Sequence, residues 1–263
     1  MRLVRLSVRM TAFFLTSASF YAMWLCGKGL TIRSRAGRAR WHGFIMTTWG
    51  RAIARIMHMR VHLDGRPPAL PYFLVSNHLS YVDIIAYAAV TDCVFVSRHD
   101  VADWPGIGAM ARSVGTVFLN RESLQDIPRV IEMIDELLDD RMGVILFPEG
   151  TSTIGDKVLP FSPALLEPAA RAGYPVSYAS IRYATPAGEP HASLAVCWWG
   201  DMTFLPHLVG LLQLREFDVF IHFGAEAIRA EDRKTLARNL WRAVNDQFVP
   251  VVEPALRESL RER

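Results

Sequence analysis

The hydrophobic pattern divides this chain into two unlike parts. Residues 10–26 form an uncharged, mostly apolar run carrying Phe13, Phe14, Leu15, Phe20, Met23, Trp24 and Leu25. As a helix it would reach about 26 Å, slightly short of a hydrocarbon core of about 30 Å. Over residues 39–59 apolar side chains recur at Trp41, Phe44, Ile45, Thr48/Trp49, Ala52/Ile53 and Ile56, the 3/4 spacing of one helical face. After the turn-rich stretch Asp64-Gly65-Arg66-Pro67-Pro68, short apolar runs alternate with helical ones. Strands are predicted at 72–76, 93–97, 116–119, 143–147, 175–181, 194–198 and 217–222. Helices are predicted at 81–90, 127–140, 164–172 and 231–248. This alternation predicts an α/β fold: a mixed, largely parallel sheet flanked by helices, behind an N-terminal membrane-associating helical segment. The organisation expected is residues 1–60 as membrane-anchoring helices and 61–263 as the catalytic body.

Charge sharpens this division. The net charge is +3 over 263 residues, but residues 1–66 hold 12 Lys/Arg against Asp64 alone, and the remainder is acidic at −8. A basic arm meets phosphates, in nucleic acid or on a membrane surface. Seventeen uncharged apolar residues have no use on nucleic acid, so the membrane is favoured. Arg2, Arg5 and Arg9 precede the apolar run, and Lys28, Arg33, Arg35, Arg38 and Arg40 follow it. A spanning helix carries its cationic excess on one side, so cations on both flanks predict a segment that dips into one leaflet. A cleaved signal peptide shares the basic start and apolar middle, but the strongly basic continuation argues against it. The composition, 51% hydrophobic and 21% charged, excludes disorder. Three scattered cysteines (Cys26, Cys93, Cys197) argue against a disulfide framework or structural zinc and for a reducing compartment.

Ligands in α/β sheets sit beyond the carboxyl ends of strands, so the loops after the predicted strands carry the candidate chemistry. Asn77-His78-Leu79-Ser80-Tyr81-Val82-Asp83 follows the 72–76 strand. A neutral imidazole at His78 could accept a hydroxyl proton, with Asp83 fixing its tautomer. Ser80-x-x-Asp83 equally fits a capping box with Ser80 as N-cap, and spacing alone leaves both readings open. Phe147-Pro148-Glu149-Gly150-Thr151-Ser152 follows the 143–147 strand: an acid, a glycine and two hydroxyls that could hold a polar headgroup or simply form a turn. Gly115-Thr116-Val117-Phe118-Leu119-Asn120-Arg121 ends a strand in a guanidinium fork suited to a phosphate. Tyr174-Pro175-Val176 is a strand entry that packing alone could explain.

In order and spacing these blocks resemble the glycerolipid acyltransferase family, typified by 1-acyl-sn-glycerol-3-phosphate acyltransferases, with its NHxSxxD, GxxFxxR, FPEGT and later Pro-hydrophobe blocks. The resemblance covers roughly residues 72–181, and Trp198-Trp199-Gly200-Asp201-Met202 looks like a stretch in bacterial members. It implies transfer of a fatty acyl group from acyl-CoA or acyl-carrier protein to the free hydroxyl of a lysophospholipid, foremost 1-acyl-sn-glycerol-3-phosphate, giving phosphatidic acid. It also implies His78 as general base, Asp83 as its orienting partner, and Arg121, Glu149, Gly150 and Thr151 as acceptor-binding residues. Neither a metal nor a resident cofactor is expected, and the location implied is the cytoplasmic face of the inner membrane. The chain departs from many members at Ser152 and Ser162, where they carry Arg and Lys. That weakens the case for a phosphomonoester acceptor and keeps lyso-ornithine lipid or another lysolipid open. Two other functions are weighed: a lysophospholipase, for which no G-x-S-x-G elbow is present, and a non-catalytic lipid-binding protein, against which His78, Asp83, Arg121 and Glu149 stand intact.

Overall fold

The computed structural model describes residues 2–31, 34–103, 108, 111–112, 114–119 and 126–252. Two long helices come first, α1 (Arg2–Leu30) and α2 (Arg35–Met57), then β1 (Met59–Asp64), β2 (Tyr72–Ser76), α3 (Val82–Val90), β3 (Val94–Arg98) and β4 (Val117–Leu119). The second half runs α4 (Asp126–Asp139), β5 (Gly143–Leu146), α5 (Glu167–Ala172), β6 (Val176–Ala184), α6 (Ala192–Ala195), α7 (Phe204–Gln213), β7 (Phe217–Phe223) and α8 (Arg233–Gln247). The seven strands pair in the order β1-β7-β6-β2-β5-β3-β4. All neighbours are parallel except β6 and β7, which makes the sheet mixed and largely parallel as the pattern predicts.

The central strands read as continuous apolar runs because helices cover both their faces. Tyr72–Ser76 and Gly143–Leu146 are buried at every position. One face packs Leu74, Ile145, Ile181 and Phe217 against Ile53 and Met57 of α2, Val82 and Ile85 of α3, and Leu208 and Leu211 of α7. The other packs Phe73, Val75, Val144 and Val176 against Val130 and Ile134 of α4 and Leu236 and Leu240 of α8. The second half of α2 thus belongs to the same core as the strands. Where α2 meets α3, Gly50 lets the backbones touch: a Cβ there would lie 2.6 Å from the Ala89 nitrogen.

Four expectations need correction. Residues 194–198 form no strand; His191 caps a short turn of helix by accepting from the Ser193 N–H, and the Trp198 N–H then bonds to the Leu79 carbonyl at 2.8 Å. The place beside β6 is taken by β7. Strand β1 and helix α7 were not anticipated, because β1 continues a helical pattern with only one residue between. The N-terminal apolar helix is also longer than the run that signalled it, with 29 residues. It is long and apolar enough to cross a membrane by length and composition. Its contacts nevertheless bind it to the body. The guanidinium of Arg9, 6% exposed, donates to the Leu212 and Arg215 carbonyls at the end of α7. Further along, Ser17 accepts from the Trp49 indole of α2 at 3.2 Å, and Trp24 packs edge-on against His42 of α2. Leu3, Val8, Phe14, Leu15 and Leu25 point outward on α1.

Candidate active site

Strand β2 lies at the middle of the sheet, and its carboxyl end delivers the candidate base. The last paired residue, Ser76, sits opposite Ala179 of β6. Beyond it the Asn77 side chain takes over the ladder: its Oδ1 accepts the Ile181 N–H at 2.8 Å, and its Nδ2 donates to the Ile181 carbonyl at 3.0 Å. His78 follows with its backbone held at both polar groups. Its N–H donates to Glu149 Oε1 at 2.8 Å, and its carbonyl accepts the Thr153 N–H at 3.0 Å.

The imidazole is fixed on two sides. Nδ1 lies 2.7 Å from Asp83 Oδ2, and the ring stacks on Phe147 with centroids 4.3 Å apart and planes at 16°. Asp83 is wholly buried, and the His78 side chain is 21% exposed. A carboxylate against Nδ1 keeps the proton there and leaves Nε2 as the basic nitrogen. Asp83 Oδ2 also accepts the backbone N–H groups of Leu79 (2.8 Å) and Ser80 (3.2 Å), while Oδ1 accepts the Tyr183 hydroxyl. A buried carboxylate is tolerated when donors surround it, and here there are four.

The capping box is half formed. Tyr81, not Ser80, stands at the N-cap of α3, and the Ser80 hydroxyl accepts from the Val82 N–H at 3.3 Å. The chain turns tightly there because Asp83 draws the 79 and 80 amides onto one oxygen, which moves the cap one residue on. Ser80 is fully buried, so its hydroxyl is closed off as a nucleophile.

The second block wraps the first. Gly150 adopts φ +80°, a left-handed conformation that glycine allows without penalty, and its N–H closes a turn on the Phe147 carbonyl. That turn carries Glu149 back under the His78 loop, where Oε2 also accepts the Leu159 N–H at 3.0 Å. Burial pushes the Glu149 carboxyl up to about 8, against the pull of its two amide donors. Thr151 is exposed at the rim. The Ser152 hydroxyl donates to the Trp198 carbonyl, so the 147–153 block, the 77–83 block and the Trp198–Met202 stretch converge on one place. There Tyr81 packs edge-on against Trp198 and Phe204, and its hydroxyl donates to His207 Nδ1, whose Nε2–H donates to the Cys197 carbonyl.

The structure therefore brings His78, Asp83, Glu149, Gly150 and Thr151 together. Arg121 lies outside the described residues. Sequence reasoning overlooked Thr153, which sits one residue past the block already singled out, and Tyr183, for which the sequence carries no local signal. Among the described residues no cluster of three or more His, Cys, Asp or Glu side chains could hold a metal. A separate cavity of about 290 Å³, lined by His62, Arg182, Phe220 and His222, contains none of the motif residues.

Comparison with known proteins agrees with this geometry. The acyltransferase family model matches residues 58–182. A lyso-ornithine lipid O-acyltransferase of Rhizobium meliloti is 33% identical over 206 residues, covering 72% of this chain and 70% of the relative. A 1-acyl-sn-glycerol-3-phosphate acyltransferase of Neisseria meningitidis serogroup B is 31% identical over 218 residues, covering 82% and 85%. The crystal structure of the 1-acyl-sn-glycerophosphate acyltransferase PlsC from Thermotoga maritima superimposes with a TM-score of 0.64 at 20% identity, covering 100% of this chain and 99% of that one, which establishes a shared fold. A histidine–aspartate pair at the end of the central strand, inside the segment the family model spans and within relatives matched over most of their length, leads to one conclusion: this chain belongs to the acyltransferase family and is an O-acyltransferase.

Proposed function

We propose that this enzyme transfers a fatty acyl group from acyl-CoA or acyl-carrier protein to the free hydroxyl of a lysophospholipid, with 1-acyl-sn-glycerol-3-phosphate as acceptor and phosphatidic acid as product. The observation that carries the reading is the His78–Asp83 pair at 2.7 Å, in which the carboxylate is buried and the imidazole is partly exposed. In the reaction, Nε2 accepts the proton of the acceptor hydroxyl as its oxygen attacks the thioester carbonyl. The positive charge that forms on the imidazole faces buried Asp83. Collapse of the tetrahedral intermediate breaks the C–S bond, and Nε2 returns its proton to the departing thiolate. No acyl-enzyme and no metal enter this sequence. Asp83 orients the base, and Glu149 and Thr153 fix the His78 backbone that carries it. Arg121, with Gly150 and the rim at Thr151, takes the acceptor headgroup; the engagement of both Glu149 oxygens by amides makes its contribution that of a clamp.

A second acceptor, lyso-ornithine lipid, is favoured by specific features. Ser152 replaces a cation and directs its hydroxyl to the Trp198 carbonyl, and three of the curated relatives, at 33–34% identity, are lyso-ornithine lipid O-acyltransferases. The deciding experiment incubates the full-length enzyme with labelled acyl-CoA or acyl-carrier protein and a panel of lysolipids. Preference for the glycerol phosphate acceptor supports the first reading, preference for the ornithine acceptor the second, and no transfer to any lysolipid refutes both.

The site of action we propose is the cytoplasmic face of the inner membrane. Arg9 and Trp24 tie both halves of α1 to the body, which favours a helix lying along the protein with its outward apolar side in one leaflet over a helix that crosses.

A further inference from the structure

We infer that Tyr183 is a positioning residue for the catalytic pair, the outer member of a Tyr183–Asp83–His78 chain that sets the basicity of His78. The inference rests on the acyl-transfer reading of the same site and extends it to a residue one position beyond the segment matched by the family model. The Tyr183 hydroxyl donates to Asp83 Oδ1, the oxygen that His78 and the Leu79 and Ser80 amides do not use. Both side chains are buried, Tyr183 at 2% and Asp83 at 0% exposure. No solvent can replace the hydroxyl there.

The chemistry follows from where the carboxylate charge is directed. Burial and the neighbouring carboxylate raise the Tyr183 phenol above its usual range, so it remains a donor throughout the working pH range. A donor on Oδ1 draws charge away from Oδ2. It thereby weakens the hold of Asp83 on an imidazolium at His78. It also fixes the carboxylate plane, because an oxygen bonded from β6 cannot rotate away while Oδ2 is bonded from the 78–80 loop.

Among the described residues three other titratable groups face the pair. Tyr87 lies on the same helix as Asp83, with its hydroxyl donated to Ser76. Cys197 is a buried thiol that the nearby Asp83 pushes further up. Glu149 bonds the His78 N–H and also feels the charge of Asp83 directly. None of them bonds Oδ1, so removal of the Tyr183 hydroxyl leaves a buried anionic oxygen with no donor among the described residues.

Two substitutions in the full-length enzyme test this with opposite signs. Tyr183→Phe should move the acid limb of the kcat/KM–pH profile upward by about half a unit or more. It should lower kcat roughly 10-fold with acceptor KM held within about twofold, short of the 10²–10⁴-fold expected for loss of the base. Replacement of Tyr183 by 3-fluorotyrosine, a more acidic phenol and stronger donor, should move the limb downward. The His78 imidazole titration followed by NMR should shift in the same two directions and needs no turnover. A hydroxyl that served packing alone would alter thermal stability while both the limb and the imidazole titration stayed in place, and that result overturns the inference. If Tyr183→Phe does not fold, the fluorinated enzyme decides alone. Failure of the wild-type enzyme to acylate any lysolipid would refute the functional reading, while the NMR titration would still judge this one.

Discussion

At the scale of single residues, His78 is defined more by what holds it than by its own chemistry. Its amide, its carbonyl and one ring face are held by Glu149, Thr153 and Phe147 of the 147–153 block, and its Nδ1 by Asp83 of α3. His78→Ala should therefore lower kcat by about 10²–10⁴-fold while the thermal midpoint changes little, since the clamps on the backbone remain. Thermal unfolding alongside acyl transfer checks both halves, and near-normal turnover would remove His78 as the base. Glu149 makes a different prediction. Its carboxyl, raised to about 8 by burial, binds a proton more tightly in the folded than in the unfolded chain. Its contribution to stability is accordingly most favourable below the ordinary carboxyl range near 4.5, falls as pH rises towards 8, and levels off beyond. Glu149→Gln does not titrate, so the stability of the wild type relative to this variant should decline across that window. Urea denaturation at several pH values measures the difference, and a difference that rises with pH would contradict the raised value.

At the scale of elements, the site depends on how closely α2, α3 and β2 approach. Gly50 sets the α2–α3 distance, and a methyl group there would meet Ala89 and Ala88 backbone atoms at 2.6–2.7 Å, which cannot yield as a flexible side chain would. Gly50→Ala should cost about 1–3 kcal/mol through overpacking. Because α3 carries Asp83, the same change should also reduce kcat. Denaturant titration and kinetics test the pair; a fully stable and fully active variant would show that α2 can be displaced without cost. Much of this layer was legible in the pattern of apolar residues. The runs at 72–76 and 143–147 became strands because consecutive buried residues suit a sheet covered on both faces, and 217–222 because its alternation of buried and half-buried residues has the period of a strand. The segment at 194–198 misled for a physical reason: Leu-Ala-Val-Cys-Trp has the composition of a strand, but a His191 cap and the Leu79 carbonyl engage its backbone groups first.

At the scale of the whole molecule, the basic arm and the acidic body are joined more intimately than their charges suggest. Ile53 and Met57 of α2 are completely buried in the main core, so truncation at residue 60 would expose that core as well as remove a surface. A gentler test of membrane attachment is Phe14→Asp with Leu15→Asp, two outward side chains at 53% and 63% exposure. These changes should release the protein from vesicles containing anionic lipid, measured by flotation, with little effect on its unfolding midpoint. Retained binding at physiological salt would assign attachment to another surface.

The sequence by itself determined the α/β class, the two-part charge distribution and the blocks from which the site is built. These properties are written in nearest-neighbour periodicity and in short motifs that fold onto themselves: Asp83 reaches His78 within five residues, and Gly150 turns Glu149 within four of Phe147. The tertiary structure alone decided which distant residues complete the site. Thr153 closes on the His78 carbonyl across 75 positions, and Tyr183 reaches Asp83 across 100. Such contacts depend on strand order and register, with β6 laid beside β2 so that Ile181 meets Asn77 and Tyr183 faces α3. No local pattern encodes that placement, because it results from the packing of the entire sheet rather than from the preferences of any one segment.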